Sequence, residues 1–485
     1  MKKRCFLPIL SGVFAAVILI LGGCGLFVNK NSNTNVTTSA NSMLDSRIES
    51  AASETVSSAP EYKPAKATIG STGDILIHSP ILDAYNFNGR YDFHEMFRYV
   101  KSYYQSYDYM VANLELTLGG TSRPYSGYPT FNCPDSILDA LSDSGVDMMT
   151  AANNHCFDLG EDAFFRTVKT LKKSRLDFIG TRQNMEDKPY IVKEINGIKI
   201  GMINYTYQTP TSDGSKALNG IPVSKAAAPL INSFDYDRLN DFYKELSKRI
   251  SEMYQDGAEA IMVYMHWGNE YWLEPSTYQQ KIGQKLCDLG VDVIVGGHPH
   301  VVEPVELFQS DISHKQTICL YSMGNEVSNQ RKDRMDMTTG HTEDGLIFET
   351  TFERKKDGSV TLSDVNILPT WVNLYYGSEG RRHYEIIPLD KSQNWSNFGL
   401  SGTADAEASY ERTDKLVAKG IRKFKTQYQK VDLRPEATKN GGSKTVITDG
   451  ASITFGTNTS NAADTDVSGT SDAGTNTKAS LAVAG

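Results

Sequence analysis

No stretch of the chain concentrates Lys and Arg into a basic stripe, and the formal charge of the 485 residues is −9. That excludes the electrostatic footprint of a nucleic-acid binder. Cysteine is scarce as well, with six in the whole sequence. Cys5 and Cys24 lie near the N-terminus, and Cys133, Cys156, Cys287 and Cys319 have the spacing of neither a disulfide framework nor a zinc site. Cys287 and Cys319 sit in apolar patterns, so these four are expected as buried free thiols even in an oxidising compartment. Large apolar residues are nearly missing from residues 29–65 and 439–485, which are rich in Asn, Ser, Thr, Gly and Ala. Such segments cannot bury enough surface to offset the entropy of ordering, and they read as a tether and a disordered tail.

What is present begins with Lys2, Lys3 and Arg4, then an apolar run from Phe6 to Leu21, then Gly22, Gly23 and Cys24. A charged start, an apolar middle and a small-residue exit form a secretory leader. Leu21-Gly22-Gly23-Cys24 resembles the lipobox of bacterial lipoproteins, with Cys24 as the lipidated residue of the mature chain. The alternative is an uncleaved anchor, since the run is nearly long enough to span a bilayer. Either way the rest of the chain is expected outside the cell membrane. The expected organisation is a leader over residues 1–23, a linker over 24–65, the main domain over 66–390, a helical extension over 391–435 and a tail over 436–485.

The main domain alternates short apolar runs with amphipathic stretches, which predicts an α/β fold. Strand-length runs are Ala67 to Thr72, Tyr109 to Ala112, Val146 to Ala152, Ala260 to Met265, Val291 to Val295 and Thr317 to Tyr321. Helices are expected over Glu161 to Lys173 and Pro275 to Leu289, the second opening on Pro in its first turn. Two alternating runs that meet at Asn196-Gly197 predict a hairpin over Tyr190 to Tyr205.

Polar clusters follow these strands: Gly73-Asp74, Asn113-Leu114-Glu115, Asn153-Asn154-His155, His266-Trp267-Gly268 with Glu270, Gly296-Gly297-His298-Pro299-His300, and Tyr321-Ser322-Met323-Gly324-Asn325. In open α/β sheets ligands bind beyond the carboxyl ends of the strands, so six such clusters are expected to converge on one rim. A lone His or Asp at a strand end is more often a hydrogen-bonding cap. Six in succession are harder to assign to capping, and mixed His, Asn and carboxylate donors suit divalent metals.

Taken in order, these motifs, with Asp158 and Gly160 after Asn-Asn-His, resemble those of the poly-gamma-glutamate capsule synthesis (CapA) family, from about Ala67 to Asn325. That family is similar in turn to calcineurin-like metallophosphoesterases. The resemblance implies a layered sheet with flanking helices and a site at the carboxyl ends of the strands. It also implies one or two divalent ions of the Mn, Fe or Zn class. Asp74 and His300 would bind the first ion, Glu115 would bridge, and Asn154, His266 and His298 would bind the second. Paired ions of this kind stabilise charge on attacking and leaving oxygens. His155 takes the place of the residue that protonates the leaving group. Asp158 is expected to accept a hydrogen bond from His155 and fix its tautomer, and Glu270 joins the catalytic candidates.

Two departures from the metallophosphoesterase pattern stand out. Leu76 occupies the place of a metal-binding His, and His78 follows two residues later, roughly 13 Å along a strand from Asp74. Glu115 stands where a shorter Asp is usual. Trp267, Tyr271 and Trp272 are candidates for a cleft or for packing, and Arg123, Arg331, Arg381 and Arg382 for anion binding or, more simply, for the solvated surface. Two functions are expected of such a protein. One is a metal-dependent hydrolase or transferase acting on a phosphoester or a gamma-glutamyl bond of an anionic capsule or wall polymer. The other is a polymer-binding or export subunit working with membrane-bound synthase partners.

Overall fold

A computed structural model of the chain describes residues 62–435. The leader, Cys24, most of the linker and the tail lie outside those residues. Fifteen strands matter for the site: β1 (Ala65–Ile75), β2 (Tyr109–Leu114), β3 (Met148–Thr150), β4 (Asp177–Ile179), β5 (Ile191–Ile195), β6 (Ile198–Tyr207), β7 (Ser233–Phe234), β8 (Ala260–His266), β9 (Val293–Gly297), β10 (Val305–Gln309), β11 (Gln316–Leu320), β12 (Asn325–Val327), β13 (Asp344–Arg354), β14 (Val360–Tyr376) and β15 (Arg382–Pro388). They form two mixed sheets. The first has the order β15-β14-β13-β1-β2-β3-β4 with β12 also paired to β1, and the second β7-β6-β8-β9-β11-β10 with β5 paired to β6.

Side-chain alternation explains the layering. Along β8, Ala260, Met262 and Tyr264 join Ile69, Val111 and Met148 of the first sheet in one core between the sheets. Ile261, Val263 and Met265 of the same strand point the other way. There they meet α2 (Leu239–Gln255) and α3 (Thr277–Asp288), numbered after α1 (Glu161–Lys173). Residues of period two thus serve two cores at once, as a strand covered on both faces must. The outer face of the first sheet is covered by Tyr85, Phe93, Phe97, Ile137 and Leu141.

The hairpin forms as read, with β5 and β6 antiparallel and Asn196 and Gly197 both in the left-handed region. Pro275 does not open the second predicted helix. Ser276 is its N-cap, in a reciprocal capping box with Gln279, and Pro275 precedes the cap; a Ser hydroxyl can accept a backbone N–H bond and Pro cannot. The three strands β13, β14 and β15 carry no counterpart in the sequence reading. The helix α4 (Ala404–Gln427) crosses the open edge, placing Val417 and Phe424 in the core between the sheets. Arg412 on it clamps Asp344 at the start of β13 through two bonds of 2.7 and 2.8 Å, while Lys423 reaches Leu307 O on β10 at 3.1 Å. Cys133, Cys156, Cys287 and Cys319 are buried free thiols. Among the described residues no helix is long and apolar enough to cross a membrane.

Candidate metal centre

The carboxyl ends of β1, β2, β3, β8 and β9 converge. Asp74 is brought in by a bulge: the register of β1 on β2 shifts between Thr72 and Asp74, and the Asp74 amide donates to Gly324 O at 3.0 Å. A Cβ on Gly73 would sit 2.0 Å from that same carbonyl, so only glycine permits the approach. Gly297 plays the matching part in the other sheet, since a Cβ there would lie 2.9 Å from Asp74 Oδ1.

The first sheet supplies oxygen ligands. Asn113 Nδ2 donates to Asp74 Oδ1 at 2.7 Å, and Asn113 Oδ1 accepts from Thr150 Oγ1 at 3.0 Å, which fixes the amide orientation. Glu115, fully buried, has one oxygen 3.4 Å from His266 Nε2 and 3.9 Å from His300 Nε2. The second sheet supplies imidazoles. His266 Nε2 lies 2.7 Å from Asn154 Oδ1, and His300 Nδ1 lies 3.3 Å from Asp74 Oδ2 and 3.1 Å from Asn325 Oδ1. His298 and His300 both adopt left-handed backbone conformations, with φ of 99° and 58°. For non-glycine residues such conformations cost on the order of 1–3 kcal/mol each, and here they turn two imidazoles of one short segment toward the carboxylates.

Two sets of ligand atoms are close enough to share an ion, Asp74 with Glu115 and His266, and Glu115 with His298 and His300; within each the atoms lie within 4.8 Å of one another. Glu115 belongs to both. Two buried atoms of these sets, Glu115 Oε1 and His298 Nδ1, have no hydrogen-bond partner. Leaving such atoms unsatisfied costs about 1–3 kcal/mol each, more for a charged group, so the donor set fits a divalent cation. The charges agree. Burial alone would raise Asp74, but His300, His266 and Asn113 outweigh it and hold the carboxyl below its usual value. Burial likewise opposes a charge on His300, yet Glu115 and Asp74 hold it up at about 9. His298, by contrast, is pushed well down by burial and by its neighbouring imidazoles.

His155 stands beside this cluster. Its Nδ1 is 2.8 Å from Asp158 Oδ2, which also accepts from the Phe131 amide at 2.8 Å. Burial would depress the imidazole, but the Asp158 bond and charge outweigh it and the pKa is raised. Asn219 holds the pair from the far side, accepting from Asn154 Nδ2 at 3.0 Å and approaching His155 Nδ1 at 3.3 Å.

The structure thus brings Asp74, Glu115, Asn154, His266, His298 and His300 together, with His155 and Asp158 alongside. Glu270 stays at the exposed rim, where its charge acts on Tyr207, Tyr271 and His300. His78 is outside both ligand sets: the chain leaves β1 at Ile75, and His78 precedes the helix Ser79–Ala84 with its Nδ1 accepting from the Asn329 amide at 3.2 Å. Burial pushes it down to about 3. Trp267 is core, its Nε1 donating to Tyr321 O at 2.9 Å, whereas Trp272 is exposed. None of the four arginines reaches the centre: Arg331 is buried against Glu343 and Val372 O, Arg123 bonds Leu159 O, Arg381 pairs with Glu95 and Arg382 with Asp83. Arg331 is therefore an interior residue, against the surface expectation. Asn113 and Asn325 orient ligands although their motifs alone assign them no role. A third group joins His383 and Glu385 of the edge strand β15 to Glu95 of the turn His94–Phe97, with His383 held between Glu95 and Glu379.

The profile of the family described as "Bacterial capsule synthesis protein PGA_cap" matches residues 68–330. The chain is 27% identical over 372 residues to the "Capsule biosynthesis protein CapA" of Bacillus anthracis, covering 76% of this chain and 77% of that one. It is also 27% identical over 239 residues to the "PGA biosynthesis protein CapA" of Bacillus subtilis (strain 168), covering 48% and 57%. The matched span holds every residue of the two ligand sets.

Proposed function

Since the chain belongs to the bacterial capsule synthesis protein PGA_cap family, we propose that it acts in the assembly of a poly-gamma-glutamate capsule as a metal-dependent hydrolase or transferase. The observation that carries this reading is the pair of unsatisfied buried atoms, Glu115 Oε1 and His298 Nδ1, within a cluster that joins both sheets.

Asp74, Glu115, Asn154, His266, His298 and His300 are the residues that would hold the cation. When bound, divalent ions supply Lewis acidity toward a substrate oxygen. The protein's own chemistry centres on His155. Asp158 accepts a hydrogen bond from Nδ1–H and favours the imidazolium, whose Nε2–H faces a leaving group; His155 gives up that proton as the bond breaks and is left as the neutral Nδ1–H tautomer. Asp158 touches no reacting atom and acts by fixing that tautomer. Phe131, edge-on to His155 at 4.8 Å between centroids, limits water on one side of the imidazole.

The second reading is a polymer-binding or export subunit. Leu76, buried in the core where a ligand would stand in a metallophosphoesterase, and His78, which belongs to neither ligand set and accepts the Asn329 amide, favour it. Capsule output of strains carrying His155→Ala or His298→Ala at matched protein levels separates the two. Loss in both supports catalysis; loss only with His298→Ala supports a metal-organised binding surface. Metal analysis, with assays on phosphoester and gamma-glutamyl model compounds, identifies ion and bond. We place the protein on the outer face of the membrane through lipidated Cys24, with membrane-bound synthase subunits as partners. Two or more acyl chains give stable anchoring where one does not. Cys24→Ala is expected to abolish lipid labelling and leave the leader uncleaved, and unchanged labelling would refute the anchor.

A further inference from the structure

A cavity of about 370 Å³ opens beside β6 and β7, away from the ligand sets. Three acidic side chains line it, and two of them are already paired: Glu245 with Arg249 at 2.7 Å and Asp241 with Arg238 at 2.5 Å. The third, Asp235, accepts the Asp237 amide as a helix cap. Two further cations on the wall have only neutral partners. Arg182, 9% exposed, donates to Asn232 Oδ1 at 2.9 Å and to Pro229 O, and its Nε has no partner at all. Lys216 donates to Ala228 O at 2.5 Å and Ile231 O at 2.9 Å. Burial, with Arg182 adding to it, pushes the Lys216 amine down to about 8. Among the described residues neither cation forms a salt bridge.

Arg182 is buried and Lys216 half-buried, and the acidic wall residue whose charge reaches both, Glu245, is already paired with Arg249, so a ligand of opposite sign would complete the site. A short stretch of chain links the cavity wall to the centre. Asn219, which holds Asn154 and His155, is three residues from Lys216, at most about 11 Å of chain. Arg182 follows β4, whose carboxyl end belongs to the same rim as β1, β2 and β3.

We infer that the cavity around Arg182 and Lys216 binds a free carboxylate of a gamma-linked glutamate chain, one of whose bonds lies at the metal centre. The inference rests on the polymer reading above. A gamma-linked chain carries a free α-carboxylate on every residue, so a group held at Arg182 fixes the position of its neighbours along the rim. Arg182 and Lys216 bring two positive charges to the cavity wall, which together select an oxyanion over a neutral amide.

The test is direct binding of a fluorescent gamma-linked glutamate oligomer to the full-length chain, stripped of metal with a chelator so that the result does not depend on the centre. Lys216→Met and Arg182→Gln are each expected to weaken binding about tenfold or more, with metal content of the unstripped proteins unchanged. An oligomer with its carboxylates converted to amides is expected not to bind. Arg182→Gln removes two structural bonds, so melting temperatures are measured alongside; if it unfolds, Lys216→Met decides. Wild-type affinity in the variants, equal binding of the amide oligomer, or no oligomer binding by the wild type would each overturn the proposal. Inorganic phosphate binding in place of the oligomer would overturn the carboxylate in favour of a phosphoester. Loss of metal in His266→Ala tests the centre separately.

Discussion

The two sheets divide the chemistry between them. The first contributes Asp74, Glu115, Asn154 and the His155–Asp158 pair, oxygen donors and a proton donor; the second contributes His266, His298 and His300, imidazoles only. Each half leaves one buried polar atom without a hydrogen bond, Glu115 Oε1 on one side and His298 Nδ1 on the other. The site is therefore a property of the interface between the sheets and of neither sheet alone.

The largest expected effect tests that division. Glu115 belongs to both ligand sets, so Glu115→Ala is expected to reduce bound metal to background by elemental analysis. Asp74→Ala and His266→Ala, one from each sheet, should each lower it as well, and the losses should not add because the ligands act as a unit. Full metal in both His266→Ala and His298→Ala would break the comparison, leaving the imidazole sheet as scaffold.

Next in size is His155→Ala. It lies on the oxygen-donating side yet is no ligand, so the protein should keep its metal and fold and lose about a hundredfold to ten-thousandfold in turnover. Steady-state rates at saturating substrate check this.

A third change asks what else joins the sheets. Arg412→Met on α4 removes the partner of Asp344, which is 1% exposed, and stripping one member of a buried pair costs about 3–5 kcal/mol. Chemical denaturation should show that loss, with ligand geometry and metal content retained. If α4 does not shape the centre, the loss will be the same in the metal-bound and the chelated protein, and a larger loss in the metal-bound one would show that the helix supports the ligands. The metal itself should add about 2.7 kcal/mol at a hundred times its dissociation constant, read as a concentration-dependent rise in melting temperature.

The smallest effect is a control. His314→Asn, at an exposed left-handed position that Asn tolerates, should change neither metal nor stability measurably. His383 does not serve for this purpose, because Glu95 and Glu379 hold both its ring nitrogens.

Much of the ligand cluster was legible because every ligand follows a strand whose apolar run marks it in one dimension: Asp74 after Ala67 to Thr72, His266 after Ala260 to Met265, His298 after Val291 to Val295. The strands of the edge were not. Over Val360 to Tyr376 the alternation is interrupted by Asp364 and Pro369, and pairing with β13 and β15 rather than any periodic pattern makes it a strand. Asn325 could be placed in a motif but not given a task. Its Nδ2 donates to His300 O, Gln330 Oε1 and Thr342 O, and only folding shows that these bonds aim its Oδ1 at His300 Nδ1. Arg331 read as surface because sequence gives no sign of Glu343 beside it. The Arg182–Lys216 cavity was invisible for the same reason, since its two cations lie on separate loops.

The bond from the His298 amide to Asp74 Oδ2 joins residues 224 positions apart. Closing so long a loop costs entropy that other contacts must offset, so the bond depends on the rest of the fold. A chain that is still being synthesised, or is threaded unfolded across a membrane, possesses the carboxylates long before the imidazoles and cannot hold an ion at the shared Glu115. Its ion must come from whatever compartment the finished protein occupies, so the metal it carries reports where it folded.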